Sequence, residues 1–253
     1  MSTQPRTHYQ RKSVKGILLK PCDLDGSAQM ATDEIMLNKA ILDPELSLLI
    51  RFYSWDGPWL SIGHNQKDLP ASWVELVRNK ELNLVRRPSG GKAVLHAGGI
   101  TYALAWRSPP KKKHQAYLEA SQWIINCFKK LGLTLKFGLK SPKQLSENCF
   151  ASATSADLVD DQNYKRVGSA QFWRRGSVLQ HGEILLTPPE DLWGKIFNTK
   201  PPKPLKNCPQ IDELISLLFS SIVSYWPEVK WQKESLSSKD LIQIKTNSKN
   251  YLL

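Results

Sequence analysis

The chain has 253 residues, 41% of them hydrophobic and 23% charged, and Lys plus Arg (35) exceed Asp plus Glu (23) to give a formal net charge of +12. The apolar share excludes a disordered chain, and no run approaches the roughly 18 apolar residues of a membrane span. Four scattered cysteines (Cys22, Cys127, Cys149, Cys208) form no CxxC pair, which argues against a disulfide framework or a structural zinc site and for a reducing, cytoplasmic setting.

Residues 1–14 read as a basic N-terminal tail without the apolar core of a secretory signal. A first strand is expected at 16–21, then a helix over 27–42 capped by Ser27. Residues 46–55 read as an apolar strand covered on both faces. A short strand follows between Pro58 and Gly63, then a short helix at 71–80 and a strand at 82–87 that runs into a glycine-rich turn, 88–92. Residues 100–106 alternate, which puts Ile100, Tyr102, Leu104 and Trp106 on one face. The helix over 114–131 carries Tyr117, Ala120, Ile124, Cys127, Phe128 and Leu131 at three- and four-residue spacing, and Gly132 ends it. Strands are expected at 134–139, 147–159, 164–171 and 177–187, a short helix at 190–196, a Pro/Lys-rich linker at 199–206 and an amphipathic helix at 211–225. Residues 227–253, rich in Lys and Ser with little pattern, read as a C-terminal tail. The expected fold is one α+β domain of mixed layers over 15–226.

Two stretches can carry chemistry. In RRPSGGKAVLH (86–96) a strand delivers Arg86 and Arg87 into a turn, Ser89–Gly90–Gly91–Lys92, followed by Ala93, Val94, Leu95 and His96. Glycines let backbone N–H groups approach an anion or a carbonyl oxygen, and Arg87 and Lys92 add charge. The pattern is neither a Walker loop nor GxGxxG, and by itself it is also compatible with a plain hairpin on a basic surface. The second stretch holds Asn148–Cys149–Phe150, YKRVGSAQ (164–171) with Lys165, Gly168, Ser169 and Ala170, and LQHGEILL (179–186) with His181 and Gly182. A lysine beside a cysteine favours the thiolate, the nucleophilic form. Read without its neighbours, Cys149 is a small buried hydrophobe.

RRPSGGKAVLHAGGITYAL, with MATDEIML (30–37), SIGHNQ (61–66), YKRVGSAQ and LQHGEILL, resembles the lipoate–protein ligase and octanoyltransferase family over about residues 15–200. The resemblance implies the biotin/lipoate-ligase-like catalytic fold, with a mostly antiparallel central sheet flanked by helices. Within the family, Cys149 matches the nucleophile of the single-domain cysteine octanoyltransferases, and Lys165 matches the family's functional lysine. Typical ligases carry no cysteine there. Many also have a further domain, for which the roughly 50 residues beyond residue 200 are too few. Lys92 stands where ligases commonly have a third glycine, Gly98 and Gly99 replace more polar residues, and 151–157 (ASATSAD) departs from the expected sequence after Cys149–Phe150. These departures bear on carrier or chain preference more than on reaction type.

The implied activity is ping-pong transfer of an octanoyl (or lipoyl) group from acyl carrier protein through a Cys149 thioester to a lysine of a lipoyl domain or of glycine-cleavage H protein, with catalytic Cys149 and Lys165. The substrate would be held by Arg87, Ser89, Gly90, Gly91, Lys92, Ala93, Val94, Leu95, His96, Gly168, Ser169, Ala170, His181 and Gly182. Amides near Gly90–Ala93 or Gly168–Ser169 would meet the oxyanion, and Ala93, Leu95 and Ile184 would line an acyl tunnel. His96 and His181 are expected to order the backbone rather than move protons. No metal or cofactor is expected. ATP and Mg²⁺ belong to the alternative, an ATP-dependent lipoate–protein ligase. A monomer is expected, with no nucleic-acid or membrane partner; there is no helix-turn-helix, RNP or zinc signature. The +12 charge then suits acidic carrier and lipoyl proteins.

Overall fold

The computed structural model describes residues 14–139 and 147–253, so the expected N-terminal tail lies, but for Val14, outside the described residues. In chain order the elements are β1 (Val14–Leu19), α1 (Gly26–Leu42), β2 (Leu46–Tyr53), β3 (Trp59–Ile62), α2 (Ala71–Arg78), β4 (Asn83–Arg86), β5 (Val94–His96), β6 (Gly99–Arg107), α3 (Lys113–Lys130) and β7 (Lys136–Phe137). A 3₁₀ turn at Cys149–Ala151 follows, then β8 (Leu158–Val159), β9 (Lys165–Arg174), β10 (Ser177–Leu185), α4 (Glu190–Phe197), α5 (Ile211–Tyr225), β11 (Val229–Glu234) and α6 (Ser238–Asn247), with a last 3₁₀ turn at Ser248–Tyr251.

Eight strands form the main sheet in the order β11-β1-β2-β6-β10-β9-β8-β7. It is antiparallel from β2 to β7, and β1 pairs in parallel with β2 and β11. Strand alternation sorts the side chains between two layers. Ile100, Tyr102, Leu104 and Trp106 of β6 pack in one cluster with Trp123, Ile124 and Phe128 of α3 and Leu214, Leu218 and Ile222 of α5, as their spacing predicts. Ala103 and Ala105 point the other way, into the cluster built on α1. A separate three-stranded sheet, β4-β3-β5, sits on that second side and carries the glycine turn between β4 and β5.

The structure corrects three readings of the sequence and adds one strand. Asp25, not Ser27, caps α1: its carboxylate accepts from the Ala28 N–H, and the Ser27 hydroxyl donates to Asp25. Residues 94–96 form a strand, because β3 offers them an antiparallel partner. Residues 147–159 are not one strand. The Asn148 side chain accepts from the Phe150 N–H and starts a 3₁₀ turn at Cys149, and only Leu158–Val159 pair. Residues 227–253 are not a tail: β11 pairs along the whole of β1, and α6, capped by a reciprocal Ser237–Asp240 box, brings Ile244 and Tyr251 into the α1 cluster.

Removing residues 227–253 therefore exposes an edge of the main sheet and one side of α1. Val229, Ile244 and Tyr251 are buried, and each such side chain contributes about 1.5–3 kcal/mol. The truncated protein is expected to melt about 10–20 °C below the full chain by circular dichroism; a tail would leave the melting temperature unchanged.

Candidate active site

The site lies where β9 and β10 of the main sheet face the glycine turn. A cavity with about 60 Å³ of free space opens there. Its walls include eleven of the expected site residues: Arg87, Gly90, Gly91, Val94, His96, Cys149, Gly168, Ser169, Ala170, His181 and Gly182. Met30, Tyr53, Ser61, Thr101 and Glu183 complete it.

Backbone contacts place Cys149. The Cys149 N–H donates to the Ala93 carbonyl at 2.9 Å, and the Ala93 N–H donates to the Glu147 carbonyl at 2.9 Å, so the cysteine segment runs as a short bridge beside the residue that follows the glycine turn. Lys165, at the start of β9, is 4% exposed. Its Nζ lies 3.2 Å from Cys149 Sγ and donates to the Cys149 carbonyl at 2.8 Å and to Asp157 Oδ1 at 3.0 Å, which accounts for all three ammonium protons. Burial acts to discharge this lysine, but the facing Cys149 and Asp157 outweigh it and hold the ammonium above its ordinary 10.5. Lys165 is thus an ammonium at neutral pH and loses its proton only as pH rises beyond that value.

Gly168 explains itself sterically. A Cβ there would stand 3.0 Å from Lys165 Cε and 3.4 Å from Phe150. Gly168→Ala is expected to displace the Lys165 side chain by a few tenths of an ångström and reduce transfer by up to about tenfold. A steady-state assay beside a melting curve separates this from unfolding.

Arg87 is buried, which pushes its guanidinium down to about 10 against the opposing pull of Cys149. Its donors tie the turn to β3: Nη1 goes to the Ser61 carbonyl at 2.8 Å, and Nη2 to the Gly90 carbonyl at 2.9 Å and the Lys92 carbonyl at 2.6 Å. The turn also packs tightly on β3, since a Cβ at Gly63 would lie 2.0 Å from the Gly91 oxygen. Gly91 itself has φ +99°, a conformation that favours glycine.

Five expected site residues are not on the cavity wall. Ala93 and Leu95 are buried on the far side with Leu60, Ile62 and Trp73. They shape the small sheet and, through the Ala93 backbone, hold Cys149. Ile184 packs against the α3/α5 layer, because even-numbered positions of β10 face that way. Ser89 and Lys165 act through neighbours on the wall, and Lys92 contributes its carbonyl to Arg87.

Sequence reasoning missed the acids. Odd-numbered positions of β10 face α1 and the small sheet, which brings His181 and Glu183 to the cavity side by side. His181 Nδ1 lies 2.8 Å from Asp33 Oδ2, and His96 Nδ1 lies 2.8 Å from Glu183 Oε2. Asp33 is completely buried on α1; burial pushes its carboxyl up, but Arg51 and then His181 hold it below its ordinary 3.8. Burial keeps the His96 imidazole below its ordinary 6.5 despite Glu183. Asp33 and Glu183 sit inside the quoted motifs MATDEIML and LQHGEILL. A buried acid with an arginine and a histidine within reach was the signal, but it exists only after folding. Among the described residues no cluster of three His, Cys, Asp or Glu is arranged to hold a metal, and no helix is long and apolar enough to cross a membrane.

Comparison with known proteins agrees with this architecture. The chain is 36% identical over 193 residues to octanoyltransferase LipM of Halalkalibacterium halodurans, covering 70% of this chain and 67% of that one. It is 36% identical over 182 residues to octanoyltransferase LipM of Geobacillus kaustophilus, covering 66% and 64%. The match thus spans about two thirds of the length of these relatives. In fold it is similar to a putative lipoate protein ligase from T. acidophilum with bound lipoic acid, with a TM-score of 0.77 at 17% identity over 94% of this chain and 95% of that one. Lipoate-protein ligase A bound with ATP follows at a TM-score of 0.75 and 17% identity over 93% and 94%. These neighbours bear out the expected lipoate-ligase-like α+β fold. Residues 25–216, most of the chain, match the lipoyl protein ligase A/B catalytic domain, and the chain belongs to that family.

Proposed function

We propose that this protein is an octanoyltransferase of protein lipoylation, which moves an octanoyl chain from acyl carrier protein, through a thioester on Cys149, to a lysine of a lipoyl domain. The observation that carries this reading is the Lys165 Nζ, 3.2 Å from Cys149 Sγ at the edge of the cavity. The names of the relatives support the reaction. A solved neighbour described as a bi-partite lipoate protein ligase and its E2 lipoyl domain supports the acceptor class. Glycine-cleavage H protein is an acceptor of the same kind. Acidic carrier and lipoyl surfaces suit the net charge of +12, to which the exposed Lys111, Lys112 and Lys113 contribute.

In the first half-reaction the Cys149 thiolate attacks the donor's thioester carbonyl. The carbon–sulfur bond to the carrier breaks, and the departing thiolate takes a proton from the Lys165 ammonium. Acylation removes the negative charge that supports that ammonium, so burial gains weight and Lys165 releases its proton more readily. In the second half-reaction the acceptor amine attacks the acyl-enzyme, Cys149 leaves as thiolate, and Lys165 takes the proton from the new amide nitrogen. The cysteine–lysine pair is thereby restored. The reaction needs neither metal nor cofactor, whereas ATP and Mg²⁺ would be required by ligase chemistry.

The test is an intact-mass spectrum after mixing with octanoyl-acyl carrier protein in the absence of ATP. One octanoyl adduct, mapped to Cys149, is expected. No adduct, together with ATP-dependent transfer of free lipoate, would instead establish the ligase.

A further inference from the structure

Two buried chains of hydrogen bonds cross from the main sheet to the small sheet, and both end on the glycine turn. The first runs from Asp33 on α1 to His181 on β10, and His181 Nε2 lies 2.5 Å from Ser89 Oγ, the first residue of the turn. Asp33 is itself fixed: Arg51 donates to its Oδ1 at 2.9 and 2.6 Å and the Tyr53 hydroxyl to its Oδ2 at 3.2 Å. The second runs from the Trp55 indole N–H to the Thr101 hydroxyl, and from that hydroxyl to Glu183. Glu183 also meets His96 Nδ1, and His96 Nε2 lies 2.8 Å from Ser61 Oγ, which accepts from Arg87 Nη1 at 3.2 Å. Every donor in this second chain finds an acceptor when His96 is neutral and protonated on Nδ1.

The two chains meet in the peptides of the turn. In a trans peptide the C=O and the following N–H point to opposite sides. The Ser89 carbonyl accepts from the His64 N–H, so the Gly90 N–H points away from His64. The Gly90 carbonyl accepts from Arg87, so the Gly91 N–H points away from Arg87. The Ala93 N–H is already spent on Glu147. Gly90 and Gly91 are also the glycines of the turn that share the cavity wall with Cys149. Their two amides are therefore the turn's candidate donors for an oxyanion formed when the sulfur attacks, and their direction depends on where Ser89 and Arg87 are held.

We propose that Asp33, His181 and Ser89 form a positioning chain that fixes the Gly90–Gly91 amides for the acylation of Cys149. The serine of this chain is not a nucleophile: Ser89 is 1% exposed and is not on the cavity wall. An acid–histidine–serine array that generates a nucleophile in hydrolases here holds an oxyanion site for a neighbouring sulfur. This inference rests on the acyl-transfer reading above.

The experiment is single-turnover acylation by octanoyl-acyl carrier protein, followed by mass, on the full chain and on Ser89→Ala, Asp33→Asn and the double variant. Iodoacetamide alkylation of Cys149 is measured on each. Burst amplitude counts folded enzyme, and the rate at saturating donor reads the position of the amides. The single variants are expected to lose about 10²-fold in saturated acylation rate. Their burst amplitude, half-saturating donor concentration and alkylation rate should stay within about twofold, and the double variant should be no slower than the worse single, as members of one chain behave. Ser89→Ala removes one hydroxyl and decides the matter even if Asp33→Asn fails to fold. Wild-type acylation rates in Ser89→Ala overturn the proposal. So does a fall in amplitude with an unchanged rate, or losses that multiply in the double variant. If the unaltered protein itself forms no acyl-enzyme, the acyl-transfer reading fails first and takes the proposal with it.

Discussion

Cys149→Ser is expected to be as inactive as Cys149→Ala, with acyl transfer reduced on the order of 10⁴–10⁶-fold, the scale on which nucleophile removal acts in other acyl-transfer enzymes. A serine preserves size and a reactive oxygen, so in a site with a general base it retains some function. This site has none in its resting state. The nearest titratable group, Lys165, is an ammonium that donates to the Cys149 carbonyl and to Asp157, and the Asp157 carboxylate and that carbonyl both remain against it when the sulfur is replaced by a hydroxyl. A sulfur can enter such a site as thiolate beside the ammonium; an alcohol of far higher pKa cannot. Mass spectrometry of Cys149→Ser after incubation with octanoyl-acyl carrier protein should show no ester adduct. An O-octanoyl adduct forming within about tenfold of the wild-type rate would mean that Lys165 serves as a base from the outset, and the charge ordering proposed here would be wrong.

The contrast between Cys149 and Asp33 shows what the sequence makes legible. The β6 alternation and the α3 spacing are local patterns, and each appears in the fold as read, with Ile100, Tyr102, Leu104 and Trp106 facing Trp123 and Phe128. Cys149 and Lys165 stood out because their chemistry is unusual and their flanking motifs match a known family. Asp33 and Glu183 did not, because their meaning lies in partners 148 and 87 residues away, His181 and His96. The same holds for the segment around Cys149, which reads as strand but is held in a 3₁₀ turn by the Asn148 side chain and a bridge to Ala93. It holds too for Val229–Glu234 (VKWQKE), a short and mostly polar run that becomes a strand only because β1 presents a parallel edge to it. Ala93 and Leu95 lie off the cavity wall for a related reason: residue alternation along 93–96 is visible in the sequence, but which face meets the cavity is decided by how the small sheet leans on β10.

Lys165 supports two effects that different substitutions separate. Lys165→Ala leaves Asp157, 3% exposed, without its ammonium partner, and breaking a buried pair in this way costs about 3–5 kcal/mol. Loss of activity in that variant is therefore ambiguous. Combining Lys165→Met with Asp157→Asn removes both charges, and an asparagine oxygen still accepts from the Thr154 N–H and hydroxyl that Asp157 Oδ2 now serves. The double variant is expected to recover most of the thermal stability while its transfer rate remains at least about 10³-fold down, in the range of losing both a charge partner and a general acid–base. Lys165→Arg divides the chemistry further. A guanidinium keeps the positive charge beside the sulfur but does not deprotonate. It should permit slow acylation, since a carrier thiolate can leave without a proton, yet fail to take the proton from the attacking acceptor amine. The acyl-enzyme should then accumulate and persist when lipoyl domain is added, a single stable adduct in the mass spectrum. If Lys165→Arg instead passes its octanoyl group to the acceptor at close to the wild-type rate, the lysine contributes charge alone, and the proton from the acceptor must leave by another route.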